Sequence, residues 1–133
     1  MKRILLDSGI LSDYVNGRRG IPEMLREHTS RGIRVGTCVP VLAEIVAGIE
    51  CSQSRDRNMR ALTAAMKTIT IWPFDEVAAF KYGELFSQLR KAGRPMQTID
   101  IMVASIAFCL GDCYVITTDS DLLEIENLNV QIW

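Results

Sequence analysis

Five short apolar runs are strung along the chain with helix-like stretches between them, and this alternation restricts the fold more than any other feature. The runs are ILL at 4–6, IRVGTCV at 33–39, TITIWPF at 68–74, YVIT at 114–117 and NVQIW at 129–133. Between them, helical periodicity covers Ile10–Asn16, Pro22–Arg31, Val41–Glu50, Ser54–Lys67, Asp75–Lys91 and Ile99–Leu110, with a short turn near Leu122–Ile125. Strands separated by helices must be joined by crossovers, which yield parallel neighbours. The expected fold is therefore α/β: a three-layer α/β/α sandwich around a mostly parallel central sheet of about five strands. The stretch after Phe74 illustrates the helix reading. Asp75 is placed to cap it, Ala78, Tyr82, Leu85, Phe86 and Leu89 share one face, and Gly93 and Pro95 close it.

The 133 residues contain no linker, repeat or low-complexity tract, so one domain over 1–133 is expected. No apolar run is long enough to span a membrane, and Asp7 and Gly9 interrupt the start before a secretory signal could form. A cytoplasmic location is the resulting expectation. The four cysteines, Cys38, Cys51, Cys109 and Cys113, match no zinc spacing; they are read as reduced thiols used for packing, although Cys109 and Cys113 stand close enough for a disulfide. The one histidine, His28, lies in a charged stretch typical of a surface. With 15 basic and 16 acidic side chains the net charge is −1, so overall charge gives no argument for nucleic-acid binding and only the placement of charges can.

Acidic residues stand in unexpected places. Asp7 ends the first apolar run, where parallel sheets form their sites, and a carboxylate there is costly unless compensated. Glu44 is the only charge in VPVLAEIVAGI (39–49). Asp100 is the only charge in IDIMVASIAFCL (99–110), a helix apolar nearly all round and so expected to be central and buried. Asp119 and Asp121 follow the fourth run directly. Singly, each has a plain structural role: Asp100 as a first-turn helix charge, Glu44 as a solvated position, Asp119 or Asp121 as the cap of a turn. Together they mark two strand ends and two helices packing on the same sheet. Convergent carboxylates raise one another's pKa, and a hard divalent cation relieves that repulsion. Mg2+, with Mn2+ as a substitute, would let such a pocket polarise a phosphodiester and activate water without a histidine. One division of labour has Asp119 ligating through water while Asp121 caps the next turn; both are kept as candidates.

The ordered series LLDSGILS, VLAEIVAG, GRPMQTIDIMVASIA and ITTDSDL resembles the PIN-domain family, specifically VapC-type toxins of bacterial toxin–antitoxin pairs. The resemblance spans essentially the whole chain. It matches Asp7, Glu44 and Asp100 to the family's first three acids, and Thr117, Asp119 and Asp121 to its last cluster. It implies a Mg2+-dependent endoribonuclease cutting structured RNA such as tRNA or rRNA, a homodimer, and a small antitoxin whose C-terminal segment blocks the pocket; DNA would be met only through that antitoxin. Two departures stand out. The family usually begins D-T-N, whereas here Asp7 is followed by Ser8 and Gly9; Ser8 keeps a hydroxyl for a carboxylate or phosphate, and Gly9 supplies no side-chain amide and loosens the next helix. Leu122 stands where Phe is usual.

Cations to hold RNA are sought in two groups. Arg57, Arg60 and Lys67 share a face of the fourth helical stretch, opposite an apolar stripe of Met59, Leu62 and Met66. Arg90, Lys91 and Arg94 lead directly into the Asp100 segment and are the favoured RNA contacts, with Arg18 and Arg19 in a loop as further cations. Tyr14 is the one aromatic near Asp7 placed to stack a base. The competing functions are a catalytically silent PIN-like module that only binds RNA or antitoxin, supported by Gly9, and a phosphoacceptor or phosphatase domain. The last would require a second Asp where Gly9 stands, or an acid pair and lysine that are absent.

Overall fold

Ile4, Leu5 and Leu6 are wholly shielded from solvent because the strand they form, β1 (Arg3–Leu6), lies mid-sheet. The computed structural model describes residues 1–133. Beside β1 lie β2 (Arg34–Cys38), β3 (Thr70–Trp72), β4 (Cys113–Thr117) and β5 (Val130–Ile132), in the order β3-β2-β1-β4-β5. Every pairing is parallel, with Leu5 opposite Gly36 on one side and Val115 on the other. Six α-helices make the connections: α1 (Ser8–Val15), α2 (Ile21–Ser30), α3 (Val39–Glu50), α4 (Arg55–Met66), α5 (Glu76–Lys91) and α6 (Thr98–Leu110). The α/β architecture read from the alternation of runs is the one observed.

The chain runs outward from β1 to β3, then returns past β1 to β4 and β5. Right-handed crossovers therefore place α1–α4 on one face and α5–α6 on the other; α5 packs along α6, and α3 also touches α6. The reversal of direction falls between β1 and β4, so their carboxyl ends open onto a crevice. As expected, α6 is the buried helix: Ile101, Val103, Ala104, Ser105, Ile106 and Ala107 all lie inside. Ser105 is accommodated there by donating its hydroxyl to the Ile101 carbonyl at 2.6 Å. Gly36 of β2 is required by a close approach, since a Cβ would sit 2.5 Å from the Thr70 carbonyl oxygen and 2.7 Å from the Trp72 ring.

Several local expectations need adjusting. Asp7 caps α1, so that helix begins at Ser8 rather than Ile10. Val39 and Pro40 begin α3, a first-turn position that tolerates proline. Asp75 caps α5 as expected, accepting from the Ala78 N–H at 3.0 Å. Phe86, however, is 44% exposed on the flank of the inward-facing stripe. Only two cysteines pack inside: Cys38 and Cys113 are buried, with their thiols pushed up to about 12 by burial, whereas Cys51 caps α3 and Cys109 falls on an outward turn of α6. All four thiols are free. His28 is half-buried, with Nδ1 bonded to the Met24 carbonyl at 2.7 Å and its ring 5.2 Å from that of Trp133.

Candidate active site

Asp7 meets two donors at the crevice between β1 and β4. The Ser8 N–H donates to Oδ1 at 2.8 Å, and Thr117 Oγ1 donates to Oδ2 at 2.9 Å. Ser8 thus serves Asp7 through its backbone, not the hydroxyl that the sequence suggested. The Thr117 oxygen also accepts from the Asp119 N–H at 3.0 Å, so one side chain at the end of β4 ties two of the acids together. Burial pushes the Asp7 pKa upward; the two hydrogen bonds oppose that shift, and repulsion from Glu44 and Asp119 adds to it.

Asp100 enters from the first turn of α6. Its pKa is pushed up to about 6, first by burial and then by repulsion from Asp7, Asp119, Asp121 and Glu44. Asp100 is therefore within electrostatic reach of the other four candidate acids, and Asp7 of Glu44 and Asp119 as well. The tightest group is Asp100, Asp119 and Asp121, whose carboxylate oxygens lie within 4.8 Å of one another. Asp7 is fixed behind them at 7% exposure, and Glu44 approaches from α3 with its side chain in solvent. The turn is capped by Asp119, not by Asp121 as entertained from sequence. Asp119 caps the short 3-10 helix Ser120–Glu124, accepting from the Asp121 N–H at 2.9 Å, and the Asp121 carboxylate is left unengaged.

The donor set suits a hard cation. Asp100, Asp121 and Glu44 have no ion-pair partner, and no sulfur or imidazole ligand accompanies them. Gly9 lies against this site: a Cβ on it would come 2.9 Å from Thr118 Oγ1, so the position is closed by Thr118 rather than left open. The sequence gave no sign of this contact, which depends on β1 and β4 being neighbours.

The cations are more dispersed than the acids. Arg94 pairs with Glu124 at 2.9 Å and lines a shallow depression with Gln97 and Asp121. Arg90 borders a separate, mainly apolar pocket with Phe86, Leu89, Met96 and Ile101, and Lys91 is exposed at the end of α5. Arg57 lines a cleft that Glu44 also lines, whereas Arg60 faces outward on α4 beside Arg55 and Lys67. Tyr14 belongs elsewhere: its hydroxyl is 2.6 Å from Thr68 Oγ1, and it lines a groove with Pro22, Leu25 and Val35 that contains none of the acids. Arg18, given no particular weight above Arg19 by the sequence, lines the Glu44 cleft. The two differ because Arg19, at φ +54°, turns back to pair with Asp13.

Known proteins share this fold. The family model described as the PIN domain matches residues 4–128. The tRNA(fMet)-specific endonuclease VapC of Shigella flexneri is 27% identical over 92 residues, covering 69% of this chain and 70% of that protein. Ribonuclease VapC1 of Haemophilus influenzae is 24% identical over 132 residues, covering 97% and 96%. Among solved structures, VapBC2 of Rickettsia felis bound to a promoter DNA fragment superposes with a TM-score of 0.91 at 22% identity, over 98% of both chains. DNA-bound VapBC of Salmonella typhimurium gives 0.89 at 24% identity, over 100% of this chain and 99% of that one.

Proposed function

Because the chain belongs to the PIN-domain family, within its VapC-type ribonuclease toxins of toxin–antitoxin pairs, we propose that it is a divalent-metal-dependent endoribonuclease cutting structured RNA, tRNA or rRNA. The observation that carries this reading is the convergence of Asp7, Glu44, Asp100, Asp119 and Asp121, with three of them sharing oxygens within 4.8 Å. Asp100, Asp119 and Asp121 would hold the cation, Mg2+ or in its place Mn2+, with Asp7 and Glu44 completing the acidic rim. Such an ion supplies an activated water and a counter-charge for phosphoryl oxygens. The chain's own groups do the positioning. Thr117 holds Asp7 and Asp119 in one register, and the Ser8 N–H keeps the Asp7 carboxylate facing the crevice. Arg90, Lys91 and Arg94, around the turn into α6, are assigned to RNA phosphates; Arg94 would exchange its Glu124 partner for one.

Two partners belong to the same proposal. One is a small antitoxin that covers the acidic pocket and links the toxin to DNA. The other is a second copy of the chain, for which Val77 and Phe80 on α5, 66% and 81% exposed, offer an apolar contact.

The test is a titration of Mg2+ and Mn2+ into antitoxin-free protein while cleavage of total bacterial RNA is followed. Discrete metal-dependent fragments are expected, and they should vanish in Asp7→Asn and Asp100→Asn. Metal binding without cleavage of any RNA would replace the enzyme by the silent RNA- or antitoxin-binding module that Gly9 favours.

A further inference from the structure

A cleft of about 390 Å3 runs from Glu44 between α1 and α3 to the start of α4. Two guanidinium groups, Arg18 and Arg57, line it, and neither pairs with a carboxylate. Arg19, Arg26, Arg31, Arg55 and Arg94 do pair, whereas Arg3, Arg34, Arg60 and Arg90 are also without a carboxylate partner but lie outside this cleft. The one hydrogen bond made by Arg57 is a long contact to Ser54 Oγ at 3.4 Å. Around the arginines the wall mixes uncharged polar side chains, Ser12, Asn16 and Asn58, with the apolar Val15, Ile45 and Ile49. On the α3 side Gly48 leaves the cleft open, since a Cβ there would meet nothing within 4 Å. A glycine inside a helix, at a position with room for a side chain, gives up helix stability and keeps this wall low.

The charge pattern selects the ligand. Two arginines free of carboxylate partners in a trough of mixed polarity suit phosphate oxygens, which guanidinium groups can take bidentately. Glu44 lines the same trough and lies within electrostatic reach of Asp7 and Asp100. Resting on the ribonuclease reading, we propose that this cleft is a backbone-phosphate subsite that holds the RNA strand running out of the acidic pocket, with Arg18 and Arg57 as its two phosphate contacts. This is a different path across the surface from the one marked by Arg90, Lys91 and Arg94.

Equilibrium binding of bulk bacterial tRNA, measured by filter retention with chelator present over a range of salt, tests it. The variants are Arg18→Gln, Arg57→Gln, the pair together, and Gly48→Leu, with Arg26→Gln on α2 as a charge-matched control. The double variant should lose about tenfold or more in affinity, and its salt slope should flatten by roughly 0.7–0.9 per arginine removed. Gly48→Leu should weaken binding while leaving the slope unchanged, because it fills the trough and removes no charge. Equal losses in Arg26→Gln would overturn the proposal by showing that any cation serves. Unaltered affinity and slope in the double variant, with wild-type protein still binding and cutting RNA, would overturn the subsite and leave the nuclease standing. Wild-type protein that neither binds RNA nor cuts it with metal would remove both. If the double variant keeps its RNA affinity but loses binding of a poly-glutamate peptide, the cleft takes an acidic protein segment and the RNA assignment falls.

Discussion

Thr117 does more than any other neutral residue at the site, because a single hydroxyl donates to Asp7 and accepts from the Asp119 amide. Thr117→Val keeps the shape and leaves a buried carboxylate short of a donor, so unfolding in urea should show a loss of about 1–3 kcal/mol; Thr117→Ser should recover most of it. Asp100 makes a pH prediction. Its folded pKa, about 6, is raised above its ordinary value by burial and by the other acids. Between those two values the folded chain holds a proton that the unfolded chain has released, so stability falls as pH rises through that window. In chelator, the Tm should therefore be higher near pH 5.5 than near pH 7.5, and Asp100→Asn should flatten the difference. At this scale the sequence was informative about the acids, since Glu44 and Asp100 are lone charges in apolar runs and Asp7, Asp119 and Asp121 stand at the ends of such runs. It was silent on Thr118, Arg18 and the orientation of Tyr14, because a side chain's neighbours across the sheet or along a cleft leave no periodic trace.

Two glycines in regular elements should respond in opposite directions. Gly36 in β2 is packed beneath Trp72, and a Cβ there collides with the Thr70 carbonyl as well as the ring. Gly36→Ala should cost about 1–3 kcal/mol through strain. Gly48 in α3 has open space instead, so Gly48→Ala should raise stability by about 1 kcal/mol. Thermal melts of the two variants, compared with wild type, check both signs. Element types were legible because continuous apolar runs and a 3.6-residue period are local signals. Boundaries were less so: β3 covers Thr70–Trp72, while the apolar run extends over 68–74. Pro73 has no N–H to donate, which ends the ladder early. A cap also moved one start, since Asp7 both leaves the strand and opens α1.

For the whole molecule, alternation implied a parallel sheet and left the strand order open. The order β3-β2-β1-β4-β5 is what brings Asp7 and Thr117 within one hydrogen bond. Surface chemistry was equally hidden, because a net charge of −1 averages an acidic pocket with two unpaired arginines beside it. Phe80, 81% exposed on α5, belongs to this scale as well. Phe80→Glu should convert the proposed homodimer to monomer in analytical ultracentrifugation without lowering the Tm, since the ring touches little of its own chain.

The pairing of β1 with β4 has a consequence for synthesis on the ribosome. Asp7 is made 110 residues before its Thr117 partner, and the Asp119 and Asp121 carboxylates follow Thr117. Long-range parallel pairing forms only after both strands are available. A growing chain therefore cannot bring these acids together until β4 and the turn after it have left the exit tunnel, so on the ribonuclease proposal the RNA of the ribosome making it meets only a partial acidic site.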